Sequence, residues 1–98
     1  MKEYRVNIKP TAEQDLEQRY LQIAEASPEN AVHWYVSLVE AIEKLNVMAE
    51  RCPIAPEDAD FQIGIRHLVV GYYRVLYWIN DNQVDVLHIR HSAHARVL

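Results

Sequence analysis

Half of the 98 residues are hydrophobic and only two Gly and four Pro interrupt them, which excludes a disordered tail and makes residues 1–98 one globular domain. A formal charge of −4 argues against a protein that coats nucleic acid, and the single cysteine, Cys52, rules out an internal disulfide and suits a reducing compartment. The amino-terminal Met-Lys-Glu-Tyr-Arg has no apolar leader and no run approaches membrane-spanning length, so a soluble cytoplasmic protein without a membrane partner is expected.

From Glu3 to Lys9 the chain alternates, with Tyr4, Val6 and Ile8 on one side, and this predicts a half-buried strand that Pro10 stops. Thr11 stands where a helix cap is needed and Gln14 completes a capping box; Leu16, Tyr20 and Ile23 then carry a helix to about Ala26. Ser27 and Pro28 read as the cap and first position of a second helix. Its apolar stripe, Ala31, Trp34/Tyr35, Leu38, Ile42, Leu45 and Ala49, extends to about Arg51. So short a link predicts a helical hairpin whose stripe covers a sheet. Cys52 to Gln62, with Pro53, Pro56 and the acidic Glu57-Asp58-Ala59-Asp60, reads as a solvated surface loop.

Three β-rich runs follow: Gly64 to Gly71, Tyr72 to Ile79 and Val84 to His91. Links as short as Gly71 and Asn80-Asp81-Asn82 permit only antiparallel hairpins. The predicted fold class is α+β, in the order β-α-α-β-β-β, with an antiparallel sheet and the helical hairpin packed on one face. In the middle strand Tyr73, Val75, Tyr77 and Ile79 are uniformly apolar and are assigned to the covered face, leaving Arg74, Leu76 and Trp78 on an open one. Charge is uneven as well. Residues 1–63 hold six Lys/Arg against twelve Asp/Glu, whereas residues 64–98 hold four Arg against two Asp, with four of the five histidines. A surface facing something anionic is therefore expected on the carboxy-terminal strands.

Four segments in order, Arg51-Cys52-Pro53-Ile54-Ala55-Pro56-Glu57, Ile65-Arg66-His67-Leu68, Tyr73-Arg74-Val75-Leu76-Tyr77 and Val86-Leu87-His88-Ile89-Arg90-His91-Ser92-Ala93, resemble the toxins of the RelE/ParE superfamily. The resemblance implies the toxic half of a bacterial type II toxin–antitoxin module of the plasmid-stabilisation type. Such a toxin is held inactive by a cognate antitoxin and meets operator DNA only through it. Freed RelE-like members enter the ribosome and cut messenger RNA without a metal. Freed ParE-like members bind DNA gyrase and block replication, inhibiting growth. Lys44 is the only lysine after Lys9, no tyrosine follows Tyr77, and the Ile-Arg-His-Ser-Ala ending is similar to the ParE side, so a ParE-like, gyrase-directed toxin is the leading expectation. A degenerate, non-toxic member that retains antitoxin binding is a further alternative.

Metal-free RNA cleavage requires a base, cations that hold the phosphate and a proton donor for the leaving oxygen. If the chain is a ribonuclease, His91, Arg66 and Arg74 are the candidates, with Arg74 matching the arginine of RelE-like nucleases by resemblance. If it works by docking, Arg66, Arg74, Trp78, Arg90 and His91 form a cationic, partly aromatic patch for partners. A plainer reading makes Arg74 a sheet-surface cation that pairs with an antitoxin acid or with Asp85. His88, His91 and His94 follow a metal-like spacing, but residues 88 and 91 differ in strand parity, and no metal or cofactor is expected. Cys52 has no neighbouring base and is no candidate nucleophile.

Overall fold

The computed structural model describes residues 2–91. Ser92, Ala93, His94 and Arg96, which entered the reading of the sequence, lie outside the described residues. β1 (Arg5–Ile8) leads into α1 (Pro10–Ala26) and α2 (Pro28–Glu43); α3 (Leu45–Met48) and a 3-10 turn (Ala49–Arg51) follow. Then come a short α4 (Asp58–Phe61) and the strands β2 (Arg66–Val70), β3 (Tyr73–Asn80) and β4 (Gln83–His91). The described strands form one sheet in the order β1-β4-β3-β2. The α+β class and element order are as expected. β2, β3 and β4 form the antiparallel meander, while β1 joins it parallel to β4, so the sheet is mixed. The two long helices between β1 and the meander supply the crossover that a parallel pairing requires. Among the described residues no helix is long and apolar enough to cross a membrane.

Alternation along β3 divides two apolar clusters. Val75 and Tyr77 join Leu16, Leu38, Ile42 and Leu45 in the main core between sheet and helices, as the sequence predicts. Leu76 points the other way and packs with Ala55, Ile65 and Leu87. The second face is therefore not open along its length, because the segment from Cys52 to Ile65 folds over it. Two contacts fasten that segment along β2: Ala55 N donates to Ile65 O at 2.8 Å and His67 N donates to Pro53 O at 3.1 Å.

Two helix boundaries differ from expectation. Ser27 caps α2 as predicted, its hydroxyl accepting from Asn30 N at 3.2 Å. Pro10, by contrast, is the first residue of α1, and Thr11 donates to Leu87 O at 2.6 Å instead of capping the helix. β1 pairs with β4 only as far as Val86. Thr11 and Asp15 of α1 complete the remaining edge, Asp15 accepting from Ile89 N at 3.0 Å. The second helix breaks at Lys44 rather than running to Arg51, and carbonyls beyond the break serve tertiary partners. Asn46 O accepts from Tyr4 N at 2.7 Å, and Ala49 O accepts from the Tyr77 hydroxyl at 2.6 Å.

Tyr77 is fully buried, so its hydroxyl satisfies a carbonyl that water does not reach. Tyr77→Phe is expected to lower unfolding free energy by about 1–3 kcal/mol. Urea denaturation checks this; an unchanged midpoint would mean that the bond contributes nothing.

Candidate functional site

The hairpin of β3 and β4 generates the main polar cluster. Between Leu76 and Tyr77 the register shifts by one residue, a bulge that leaves Leu87 as the extra residue of β4. Beyond it Arg74 stands directly opposite Arg90. Without the shift Arg74 would face Ile89. Like charges facing each other across a sheet are unfavourable unless something neutralises them. Arg74 is also only 6% exposed, and a buried guanidinium requires a partner.

That partner is Glu57, not Asp85. Its two carboxylate oxygens take a forked pair of hydrogen bonds from Arg74, Nη1 to Oε1 at 3.1 Å and Nη2 to Oε2 at 2.5 Å, while Arg90 Nε lies 3.9 Å from Oε2. The bonds from Arg74 hold the Glu57 carboxyl well below its ordinary range, at about 2. Glu57 stands at the start of α4, and the loop beyond is fixed by Asp58, whose Oδ1 accepts from the backbone N–H groups of Ile63, Gly64 and Ile65, each at 2.9 Å. Left-handed φ angles at Gln62 (55°) and Gly64 (86°) let the chain turn tightly enough for all three. The acidic run that reads as solvated is thus a structural clasp.

His67 Nδ1 lies 3.0 Å from Arg74 Nη1. A guanidinium only donates, so Nδ1 accepts and the ring proton of neutral His67 sits on Nε2. Burial, reinforced by the Arg74 charge, lowers the His67 pKa and favours that neutral form. Arg74 Nε is buried without a partner. A cavity of about 450 Å3 is lined by Asp15, Glu57, Arg74, His88, Arg90 and His91. His88 Nδ1 lies 3.0 Å from Asp15 Oδ2.

Arg74 and Arg90 therefore share one face beside this cavity, and His91, which lines it too, pairs with Tyr73 and points to the other face. Arg66 and Trp78 do not line it. Arg66 pairs with Tyr77 and so sits on the opposite side of the sheet from Arg74, donating to the carbonyls of Cys52 at 2.5 Å and Glu50 at 3.3 Å. Trp78 shares the face of Arg74 but lies four residues along β3, roughly 13 Å away, where it is half-buried opposite Asp85. Burial raises the Asp85 carboxyl, but hydrogen bonds from Gln83 and Asn7 overcome it and the net shift is downward. His88 and His91 pair with Leu76 and Tyr73 and so point to opposite faces. Sequence reasoning did not find Glu57 or His67 as members of the cluster. The one available signal was an acidic loop residue following the predicted helices and preceding an arginine-bearing strand.

Residues 6–96 match the family described as the ParE toxin of type II toxin–antitoxin systems, parDE. The chain belongs to the ParE toxin family. Its fold is similar to that in the chromosomal ParDE toxin–antitoxin system from P. aeruginosa, with a TM-score of 0.76 and 19% identity over 90% of this chain and 95% of that one. It is also similar to a chain in the RelBE2 toxin–antitoxin complex from Mycobacterium tuberculosis, with a TM-score of 0.65 and 26% identity over 91% of this chain and 98% of that one. No curated protein matches significantly. The ParE-family chain is accordingly a ParE-type toxin of a type II toxin–antitoxin system with the RelE/ParE fold.

Because the folded-state pKa of Glu57 lies near 2 against 4.5 as its ordinary value, its stabilising contribution is complete above about pH 4.5 and is lost as pH falls toward 2. Glu57→Gln is expected to cost about 2–3 kcal/mol at neutral pH, somewhat less than breaking a fully buried pair, and to flatten the stability profile across that acid window. Urea unfolding at stepped pH checks both; an unaltered acid limb in the variant would contradict the pairing.

Proposed function

We propose that this ParE-type toxin acts in the cytoplasm by docking on a protein target, DNA gyrase, and that a cognate antitoxin neutralises it. The observation that carries this reading is the condition of the arginines. Arg74, the cation a phosphate clamp would present, is buried and bonded to Glu57, while Arg66 is tied to two backbone carbonyls on the other side of the sheet. A nuclease needs these groups to converge on one phosphate when RNA is bound, and Arg66 lies on the opposite side of the sheet from Arg74. Docking needs only a surface. Arg90, exposed on β4, together with His91, half-buried Trp78 and the ion-paired Arg74, supplies a polar and aromatic one, with Arg66 behind it as support. The charge of −4 favours contact with operator DNA only through the antitoxin. Growth inhibition by free toxin, and plasmid stabilisation through it, follow from this role.

The likeness to a chain of the RelBE2 complex, and a cavity whose lining includes His91 and two arginines, favour a second reading as a metal-independent endoribonuclease acting on ribosome-bound messages. A non-toxic member that keeps antitoxin binding would show neither activity.

Purified toxin is expected to inhibit gyrase supercoiling at near-equimolar ratios, and Arg90→Ala and Trp78→Ala are each expected to weaken that inhibition by roughly tenfold, about 1–2 kcal/mol of docking energy. Undisturbed supercoiling at large excess would reject the gyrase target. In that event, messages cut within translated frames after induction would identify the ribonuclease, and normal growth would identify the non-toxic member.

A further inference from the structure

Two arginines brought face to face around a partly buried carboxylate make an anion site that is already filled. Arg74 and Arg90 are cross-strand partners, and the bulge alone puts them there. Glu57 supplies the anion, yet it belongs to neither strand. It precedes α4, a four-residue helix with no buried residue of its own, and its side chain retains 25% exposure. The apolar anchors of the covering segment, Ala55 and Ile65, lie on either side of α4 in sequence and pack on Leu76. That packing does not involve the Glu57 side chain.

We propose that the Arg74–Arg90 pair is a recognition site for an acidic side chain of a protein partner, and that Glu57 occupies the site in cis until such a carboxylate replaces it. Three observations point this way. Arg90 keeps half of its side chain exposed at the mouth of the cavity, so an incoming carboxylate meets it first. Arg74 Nε is buried without a partner, so the resting pair with Glu57 leaves one donor of the guanidinium unused. Buried Arg74 also cannot stand unpaired, so opening requires exchange of one carboxylate for another rather than simple release. A carboxylate is favoured over a nucleic-acid backbone because the two arginines already hold one between them, Arg74 through a forked pair of hydrogen bonds and Arg90 at 3.9 Å. The resting ion pair thus sets a threshold: only a partner whose acid competes with Glu57 engages both arginines. The inference holds whether or not gyrase is the target.

Hexaglutamate peptide and a six-nucleotide RNA serve as probes, at low salt. On the wild-type protein labelled with nitrogen-15, the peptide is expected to shift the Nε–Hε resonances of Arg74 and Arg90 saturably in the roughly millimolar range. Glu57→Gln is expected to bind the peptide roughly tenfold more tightly, and adding Arg90→Ala is expected to abolish that gain. Absence of any shift at the two arginines in the wild type would overturn the proposal even if Glu57→Gln fails to fold. So would a folded Glu57→Gln with unchanged peptide affinity, or one that prefers the RNA.

Discussion

The like-charge pair of Arg74 and Arg90 constrains the rest of this molecule. A one-residue bulge places them opposite each other, and burial of Arg74 makes a counter-ion obligatory. The loop before β2 answers both demands by delivering Glu57 to the gap. Much of the chain between the helices and β2 is organised to hold that one carboxylate. Asp58 gathers three backbone N–H groups, Gln62 and Gly64 take left-handed turns, and Ala55 and Ile65 pack on Leu76. His67 completes the arrangement by accepting from the same guanidinium in its neutral form.

The helical side supplies rigidity rather than chemistry. Leu38, Ile42 and Leu45 fill the face of the sheet defined by Val75 and Tyr77, and Tyr77 reaches through that core to bond Ala49 O. α1 also finishes the edge of β4 where β1 stops, through Thr11 and Asp15. Asp15 therefore joins two roles, since it also meets His88 at the wall of the cavity beside Arg74.

Local physics made the elements legible. Alternation of Tyr4, Val6 and Ile8, the Ser27-Pro28 start and the apolar parity of Val75 and Tyr77 each rest on contacts a few residues apart, and each matches the structure. The four segments that resemble the RelE/ParE toxins led to the family that residues 6–96 match. What was not legible depends on distant groups. The break at Lys44 is followed by bonds to distant groups that no local pattern announces, Asn46 O accepting from Tyr4 N and Ala49 O from the Tyr77 hydroxyl. The parallel pairing of β1 is decided by where the helices return the chain. The bulge at Leu76 and Tyr77 decides which residue faces Arg74, and no residue pattern announces it. Glu57 looked solvated because its partner lies 17 residues away, across a loop whose closure depends on Asp58.

The coupling between Arg74 and Glu57 tests this account most directly. A double-mutant cycle with Glu57→Gln and Arg74→Met, read by urea unfolding at neutral pH, is expected to give an interaction energy of at least about 1.5 kcal/mol, with the double variant more stable than the two single losses added together would allow. Additivity within roughly 0.5 kcal/mol would contradict it, for the two side chains would then not be acting as one unit.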